Sequence, residues 1–511
     1  MSATLRALGQ ARWTVLAFAI AGFATTLLQS LAYFRMAGHT FAERAAFGYS
    51  LSTEAVANAA LFSPPFRPGT IAGYVEWRAF GPLAILFAAW ALVAATGARS
   101  PQIVSRAAAF ALSVIIASVA ACIGVLIGAA SGGESVGGLP LVEAGVLLVA
   151  LAIACYAICL LVAQLTPAAT VVAGGLLLTL YFLNSLSRIF TQLDLARWLS
   201  PFHYYDLSTP LPPGGHFDLG GLAMLVAIAA VGIALAAGAS TSRVGGQVPR
   251  RTTHEPSGTP LLGLAVTREL YSERIALAAW CAAFAVLGIV LVAATRSSMQ
   301  GLLSLPRLLP GLPQYIFVFY AQVLGQTWFH AAVLMLAGLT FAFVARWAAE
   351  DRDGRLEAEL SAPYSRSAVV LERLGALAVT AAVLAALSGL SVAFTSRSAN
   401  LALDPARLVD ACLLLVLFSL VMGAAGSLLV SWVPRAAPAL FVGFAFASYL
   451  DDQIGGALGL PGWAQSISAF RLVGAPLASG IDGRNLALLL LLALVGLGSS
   501  ILVMQRRDVG A

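Results

Sequence analysis

Residues 141–163 read Leu141-Val-Glu143-Ala-Gly145-Val-Leu-Leu-Val-Ala-Leu-Ala-Ile-Ala-Cys155-Tyr-Ala-Ile-Cys159-Leu-Leu-Val-Ala163, a single acid in an otherwise apolar run. A helix of roughly 20 mostly apolar residues crosses the hydrocarbon layer of a bilayer, so this stretch reads as one membrane span. Working outward from it, the same measure finds about twelve such segments. They lie near 13–34, 73–96, 107–129, 141–163, 168–190, 219–239, 275–295, 316–345, 367–394, 409–430, 435–450 and 486–504. The eighth pattern runs over 315–347, roughly 50 Å at about 1.5 Å per residue, so it must tilt, break or project beyond the bilayer. Over the 511 residues, 60% are hydrophobic and 10% charged, against about 25% charged in soluble domains. The mean hydropathy is +0.89. This is the composition of an all-α integral membrane protein and excludes a soluble globular enzyme.

All 29 basic residues are arginine. A phosphate-binding loop needs a lysine to reach the β/γ-phosphates, and a Schiff-base mechanism needs one as nucleophile, so neither chemistry resides on this chain. The net charge of +6 comes from scattered arginines without a basic, aromatic-laced stripe, which points to membrane topology and away from nucleic acid. An even number of spans puts both termini on one side. Assigning that side to the cytoplasm places the larger share of the arginines there. Arg6 and Arg12 precede the first apolar run without a small-residue cleavage site, so that run reads as a retained span. The five cysteines, Cys122, Cys155, Cys159, Cys281 and Cys412, sit inside apolar stretches without metal-site spacing.

Residues 240–260 form a polar, Pro- and Gly-containing linker between a first half, 1–239, and a second, 261–511. Pro167 in Gln-Leu-Thr-Pro167-Ala-Ala has a counterpart 267 positions later in Trp-Val-Pro434-Arg-Ala-Ala, and Trp198 has one 265 positions later in Trp463. Six spans per half give two parallel repeats, with a central pathway between them.

The most informative polar stretch follows the eighth span: Arg346-Trp-Ala-Ala-Glu350-Asp351-Arg352-Asp353-Gly354-Arg355-Leu356-Glu357-Ala-Glu359-Leu360-Ser-Ala-Pro363-Tyr-Ser365-Arg366. Leu356 and Leu360, four apart, place apolar side chains on one face of a short amphipathic helix along the membrane surface. The plain alternative is a solvated turn. The segment resembles the coupling stretch of the type II ATP-binding-cassette exporter permeases, in the double-length branch of polyketide-antibiotic and multidrug exporters. The matching residues are Glu350, Asp351, Gly354, Arg355, Leu356, Glu357, Pro363, Ser365 and Arg366, and Asp353 joins them as a docking charge. Phe41-Ala-Glu-Arg-Ala-Ala with Gly73-Tyr74-Val-Glu-Trp77, Trp198-Leu-Ser-Pro-Phe, and the tail Arg506-Arg507-Asp508 extend the likeness over most of the chain.

The resemblance implies a permease subunit of the bacterial plasma membrane with both termini cytoplasmic, exporting hydrophobic or amphiphilic compounds. It implies no catalytic residue and no cofactor here, with ATP and magnesium held by two copies of a separate soluble ATPase docked on the coupling helix. One departure stands out. The first half has only Arg99-Ser-Pro-Gln-Ile-Val-Ser-Arg106 in the corresponding place and lacks every acid, so its dock should be degenerate.

Polar side chains inside spans are costly and face protein or a water-filled path. Gln322, Gln326 and His330 recur every four residues, as one helical stripe that either lines an outward cavity or bonds neighbouring helices. Asn184 and Ser185 near the outer end of the fifth span carry the same two readings. Asp451 and Asp452 read first as a hydrated helix end, and Gly124-x-x-x-Gly128 as a close helix crossing. An ion-coupled secondary transporter is the alternative, disfavoured because no carboxylate stands near mid-span. A lipid-modifying enzyme comes after it, since His39, His203, His216, His254 and His330 form no HxxxD or HExxH arrangement.

Overall fold

The computed structural model describes residues 4, 8–9, 11–57, 63–96, 103–166, 169–243, 265–272, 274–303, 320–361, 365–401 and 403–507. They form two compact units, Met1–Thr253 and His254–Ala511. Most of the expected 240–260 linker lies outside the described residues.

The first unit contains α1 (Arg12–Met36), α2 (Phe41–Ala57), α3 (Ile71–Thr96), α4 (Ile103–Ser131), α5 (Gly138–Leu165), α6 (Ala169–Ser187), α7 (Pro201–Asp206) and α8 (Leu219–Arg243). The second contains α9 (Ala265–Ser272), α10 (Arg274–Leu303), α11 (Tyr320–Arg352), α12 (Arg355–Leu360), α13 (Arg366–Ser398), α14 (Pro405–Trp432), α15 (Ala437–Leu450), α16 (Ala469–Val473) and α17 (Gly483–Arg506), with one-turn helices between. Among the described residues, helix is the dominant element and a single isolated bridge, Thr209 to His216, is the extended pairing present. Lipid offers the backbone no hydrogen bonds, so each long apolar run must close its own. Where polar chain enters a helix, a side chain caps it: Thr70 accepts from Gly73 N–H, Ser365 from Ala368 N–H, Asp404 from Ala406 N–H and Asp482 from Arg484 N–H.

Among the described residues, ten of these helices are long and apolar enough to cross a membrane, against the about twelve segments expected. The fifth segment of each half is not among those ten. α6 is described from Ala169, just after the undescribed 167–168, to Ser187, close to the polar Asn184, Ser185 and Arg188. α15 has 14 residues before a π turn over Asp451–Gly455 leads to a left-handed Gly459 (φ 62°). The eighth segment is helical from Tyr320, where the described residues resume, to Arg352, five residues past Trp347, and is interrupted by a π turn at Gly325–Phe329.

The same neighbours recur in both units. First packs on third (α1 on α4, α10 on α13) and fourth on sixth (α5 on α8, α14 on α17). Fourth also touches second, third and fifth (α5 with α3, α4 and α6; α14 with α11, α13 and α15). The fourth helix is thus the central post of each. The α1–α4 crossing is tight because it is lined by small residues. A Cβ on Gly124 would collide with Thr26 Oγ1 and one on Gly128 with Ser30 Cβ. The Thr26 hydroxyl donates across the crossing to the Ala121 carbonyl at 2.7 Å. In lipid, helices gain nothing from hydrophobic transfer, so contact of this closeness must supply the association. Gly124→Val should therefore destabilise the protein by about 1–3 kcal/mol through overpacking. The measurement is thermal unfolding in detergent, with Gly133→Val, where an added Cβ would meet nothing within 4 Å but the backbone has a left-handed φ of +75°, as a contrast dominated by backbone strain.

Candidate functional site

At the elbow of the second unit the long helix α11 continues through Arg352, which places Glu350 and Asp351 on its last turn and not on a separate surface helix. A turn at Asp353-Gly354, with Gly354 at φ +72°, reverses the chain into α12, of six residues. Gly354 supplies the left-handed backbone this reversal needs. Leu356 is 1% exposed, Leu360 half-buried, and Asp353, Arg355 and Glu357 are exposed. Pro363 lies outside the described residues. Ser365 caps α13, and Arg366 begins it.

Two of the expected docking acids are consumed within the unit. Glu350 bridges Arg346 at 3.0 Å and Arg373 of α13 at 3.0 Å. Asp351, 8% exposed in its side chain, pairs with Arg507 at 2.8 Å. Arg507 also donates to the Val430 carbonyl, and Arg366 donates to the carbonyls of Gln505 and Arg507 at 3.0 and 2.6 Å. The C-terminal tail thus clamps the base of α11, α13 and α14 together. The clamp is invisible in sequence because Asp351 and Arg507 are 156 positions apart. Among the described side chains, the exposed charges left at the tip include Asp353, Arg355 and Glu357.

The polar stripe on α11 is interrupted. The π turn at Gly325–Phe329 adds a residue between Gln322 and His330 and shifts their faces apart. Gln322 is exposed, Gln326 lies in the π turn, and His330 is half-buried with Nδ1 3.2 Å from the Gly325 carbonyl. Helix bonding falls instead to two residues the periodicity passed over. Trp328 Nε1 donates to Ser388 Oγ of α13 at 2.9 Å, and the Thr327 and Thr295 hydroxyls lie 3.3 Å apart between α11 and α10. Asp451 is no hydrated helix end: it is 8% exposed, and neither carboxylate oxygen has a partner among the described residues. Gly455 makes room for it, since a Cβ there would meet Asp451 Oδ1. Asp452 has His330 and Arg471 as electrostatic neighbours.

In the first unit, Asn184 is 3% exposed and donates to Asp206 Oδ2 at 2.6 Å, while Arg188 holds the same oxygen at 2.5 Å. Ser185 is fully buried beside them with no partner for its hydroxyl among the described residues. These bonds tie α6 to the segment around α7. His203 of α7 packs against Trp198, ring centroids 4.6 Å apart, and its Nε2 is buried without a hydrogen-bond partner among the described residues. Burial first, and then Arg197, hold its imidazole below the ordinary value of 6.5.

Two outcomes follow. A neutral His203 in the folded state and a protonated one in the unfolded state mean that stability is complete above pH 6.5 and falls as pH drops through it. The slope should vanish in His203→Asn, as read from thermal unfolding against pH. Asp351→Asn strands Arg507 and should cost about 3 kcal/mol or more, as for a half-removed buried ion pair. Asp351→Asn with Arg507→Gln should recover part of that loss, while Asp353→Asn should leave the unfolding temperature unchanged.

Residues 260–503 match the family model described as "Multidrug efflux system permease Rv1217c, C-terminal domain". The match takes in nearly all of the second unit and just under half of the chain. No curated protein matches the sequence. Together with the ten long apolar helices, the match supports a multi-pass membrane permease, a transport protein and not an enzyme.

Proposed function

We propose that the chain is the membrane-spanning permease of an ATP-driven exporter of hydrophobic or amphiphilic compounds, powered by a separate pair of soluble ATPase subunits. What carries the reading is the match of the second unit to a multidrug efflux permease domain, joined to an elbow whose unpaired charges lie at its tip. Closure of soluble subunits must push on an element continuous with membrane helices. The elbow meets that need: α11 runs without a break from its π turn to Arg352, and the clamp through Arg507 fixes it to α13 and α17. Asp353, Arg355 and Glu357 would set the register of docking more than its strength. The two units, with the same neighbours in the same order, are read as parallel repeats. The first, lacking the acidic segment, makes the weaker dock.

A second reading rests on Glu76 and Asp451. Both side chains have buried oxygens with no hydrogen-bond partner among the described residues, as an ion-coupled transporter would need. Transport in vesicles driven by a proton gradient with no ATPase present would establish it.

The exporter reading is checked by reversing the tip charges. Asp353→Arg, Arg355→Glu and Glu357→Arg together should leave the unfolding temperature unchanged and lower stimulation of the proposed soluble ATPase partner, once it is found to co-purify with the chain, by about tenfold, a ΔΔG near 1.4 kcal/mol. Stimulation that survives the reversal would refute docking at this tip. Equal losses on neutralising Arg99 and Arg106 would refute the asymmetry.

A further inference from the structure

The helix α2 begins five residues past Met36, where the first span ends, and its first half is held at the ends of three spans. Arg44 bridges to Glu134, just past the end of α4, and stands over the ring of Tyr33 in the last turns of α1, 5.9 Å from its centroid. Phe47 packs on the rings of Tyr33 and Tyr74 at 6.1 and 5.8 Å. Gly48 lies against the backbone just before α3, where an added Cβ would come within 2.8 Å of the Gly69 nitrogen. Tyr33 closes the joint by donating to the Gly69 carbonyl at 2.6 Å. The 25 residues of α1 span roughly 38 Å at about 1.5 Å each, more than the ~30 Å of hydrocarbon, so its last turn lies in the headgroup layer. The first half of α2 is fixed at that same depth.

Helical spacing divides the exposed surface of α2 into two flanks of opposite chemistry. At about 100° per residue, Arg44, Gly48, Leu51 and Ala55 share the face packed on the unit, and Leu51 and Ala55 are buried. Phe41, Ala45 and Tyr49 follow every four residues along one flank, about a quarter turn from that face. Phe41 is 89% and Tyr49 64% exposed. Glu43 and Ser50 stand on the opposite flank and are exposed too. A helix lying along a bilayer needs this division, with one flank lowered into the boundary between headgroups and acyl chains and the other raised into water. Tyrosine suits that boundary, since its ring is apolar and its hydroxyl is wet. We propose that α2 is an interfacial anchor whose flank of Phe41, Ala45 and Tyr49 rests in the headgroup layer of a phospholipid bilayer, with Glu43 and Ser50 turned to water. Trp13, Leu16, Ile20 and Met36 are exposed on α1, and Met36 brings that apolar surface to within five residues of Phe41.

The anchor is independent of the exporter reading and requires only that the chain lie in a bilayer. A spin label is attached through single substitutions, Ala45→Cys and Tyr49→Cys on the apolar flank and Glu43→Cys and Ser50→Cys on the other. Each full chain is placed in nanodiscs of phosphatidylcholine and phosphatidylglycerol, and the signal of the unsubstituted chain is subtracted. Thermal unfolding identifies the variants that keep the fold. Glu43 accepts from the His39 and Thr40 N–H groups at the start of α2, so Ser50→Cys carries the contrast if Glu43→Cys does not fold. Oxygen concentrates in lipid and a nickel chelate stays in water. The ratio of oxygen to nickel collision rates should be several-fold higher at 45 and 49 than at 43 and 50. Equal ratios on the two flanks overturn the proposal. Shielding of 45 and 49 from both reagents, or dipolar broadening between labels, would reveal a protein partner or a second copy on that flank and overturn it as well.

Discussion

Apolar side chains do not drive helices together in lipid, so every contact between spans must come from atoms that touch closely or from polar groups that bond across the gap. The structure meets this constraint in both units with the same devices. Gly124 and Gly128 bring α4 onto α1, and Gly232 brings α8 onto Ala157 of α5. Gly423 and Gly426 let α14 approach α13, α11 and α15. Short side chains then bond across: Ser118 donates to the Gly145 carbonyl at 3.0 Å, and the Ser427 and Ser500 hydroxyls lie 2.7 Å apart. Cysteine takes the same part, with Cys122 and Cys412 donating weakly to the Leu141 and Ala385 carbonyls.

Charge obeys a second version of that constraint at the ends of the spans. Where α11, α13, α14 and α17 come together, Glu350, Asp351, Arg366, Arg373 and Arg507 each find a partner inside the unit. Arg373 also stands over the Trp347 ring, 6.0 Å from its centroid. This network makes the elbow a stiff continuation of the long helix, a precondition for transmitting a push. It also separates two classes of acid that look alike in one dimension: those that hold the elbow and those free to meet another protein.

Legibility in the sequence follows the distance over which each feature is encoded. Spans are local, and among the described residues ten of the twelve expected segments appear as long apolar helices. The Gly124–Gly128 crossing was legible because helical spacing alone puts both glycines on one face. The elbow was legible as a charged segment, yet its division into α11 and α12 was not, because helical propensity carries on past Trp347 until Gly354 breaks it. The polar stripe of Gln322, Gln326 and His330 rested on an unbroken helical period, and the π turn defeats that assumption. Trp328 and Thr327 were passed over since, read singly, they are ordinary span residues. Glu76 was passed over since it sits near the start of a span, where an acid is usually hydrated.

Composition and periodicity by themselves determined that the chain is helical, lipid-embedded and without lysine-based chemistry, because these properties are sums over neighbouring residues. Tertiary structure alone decided which charges are spent and which remain. Asp351 and Arg507, or Asn184 and Asp206, meet only after the chain has folded, and burial turns Asp451 from a hydrated end into an unpartnered acid. A charge has no fixed role until its surroundings set the cost of leaving it alone.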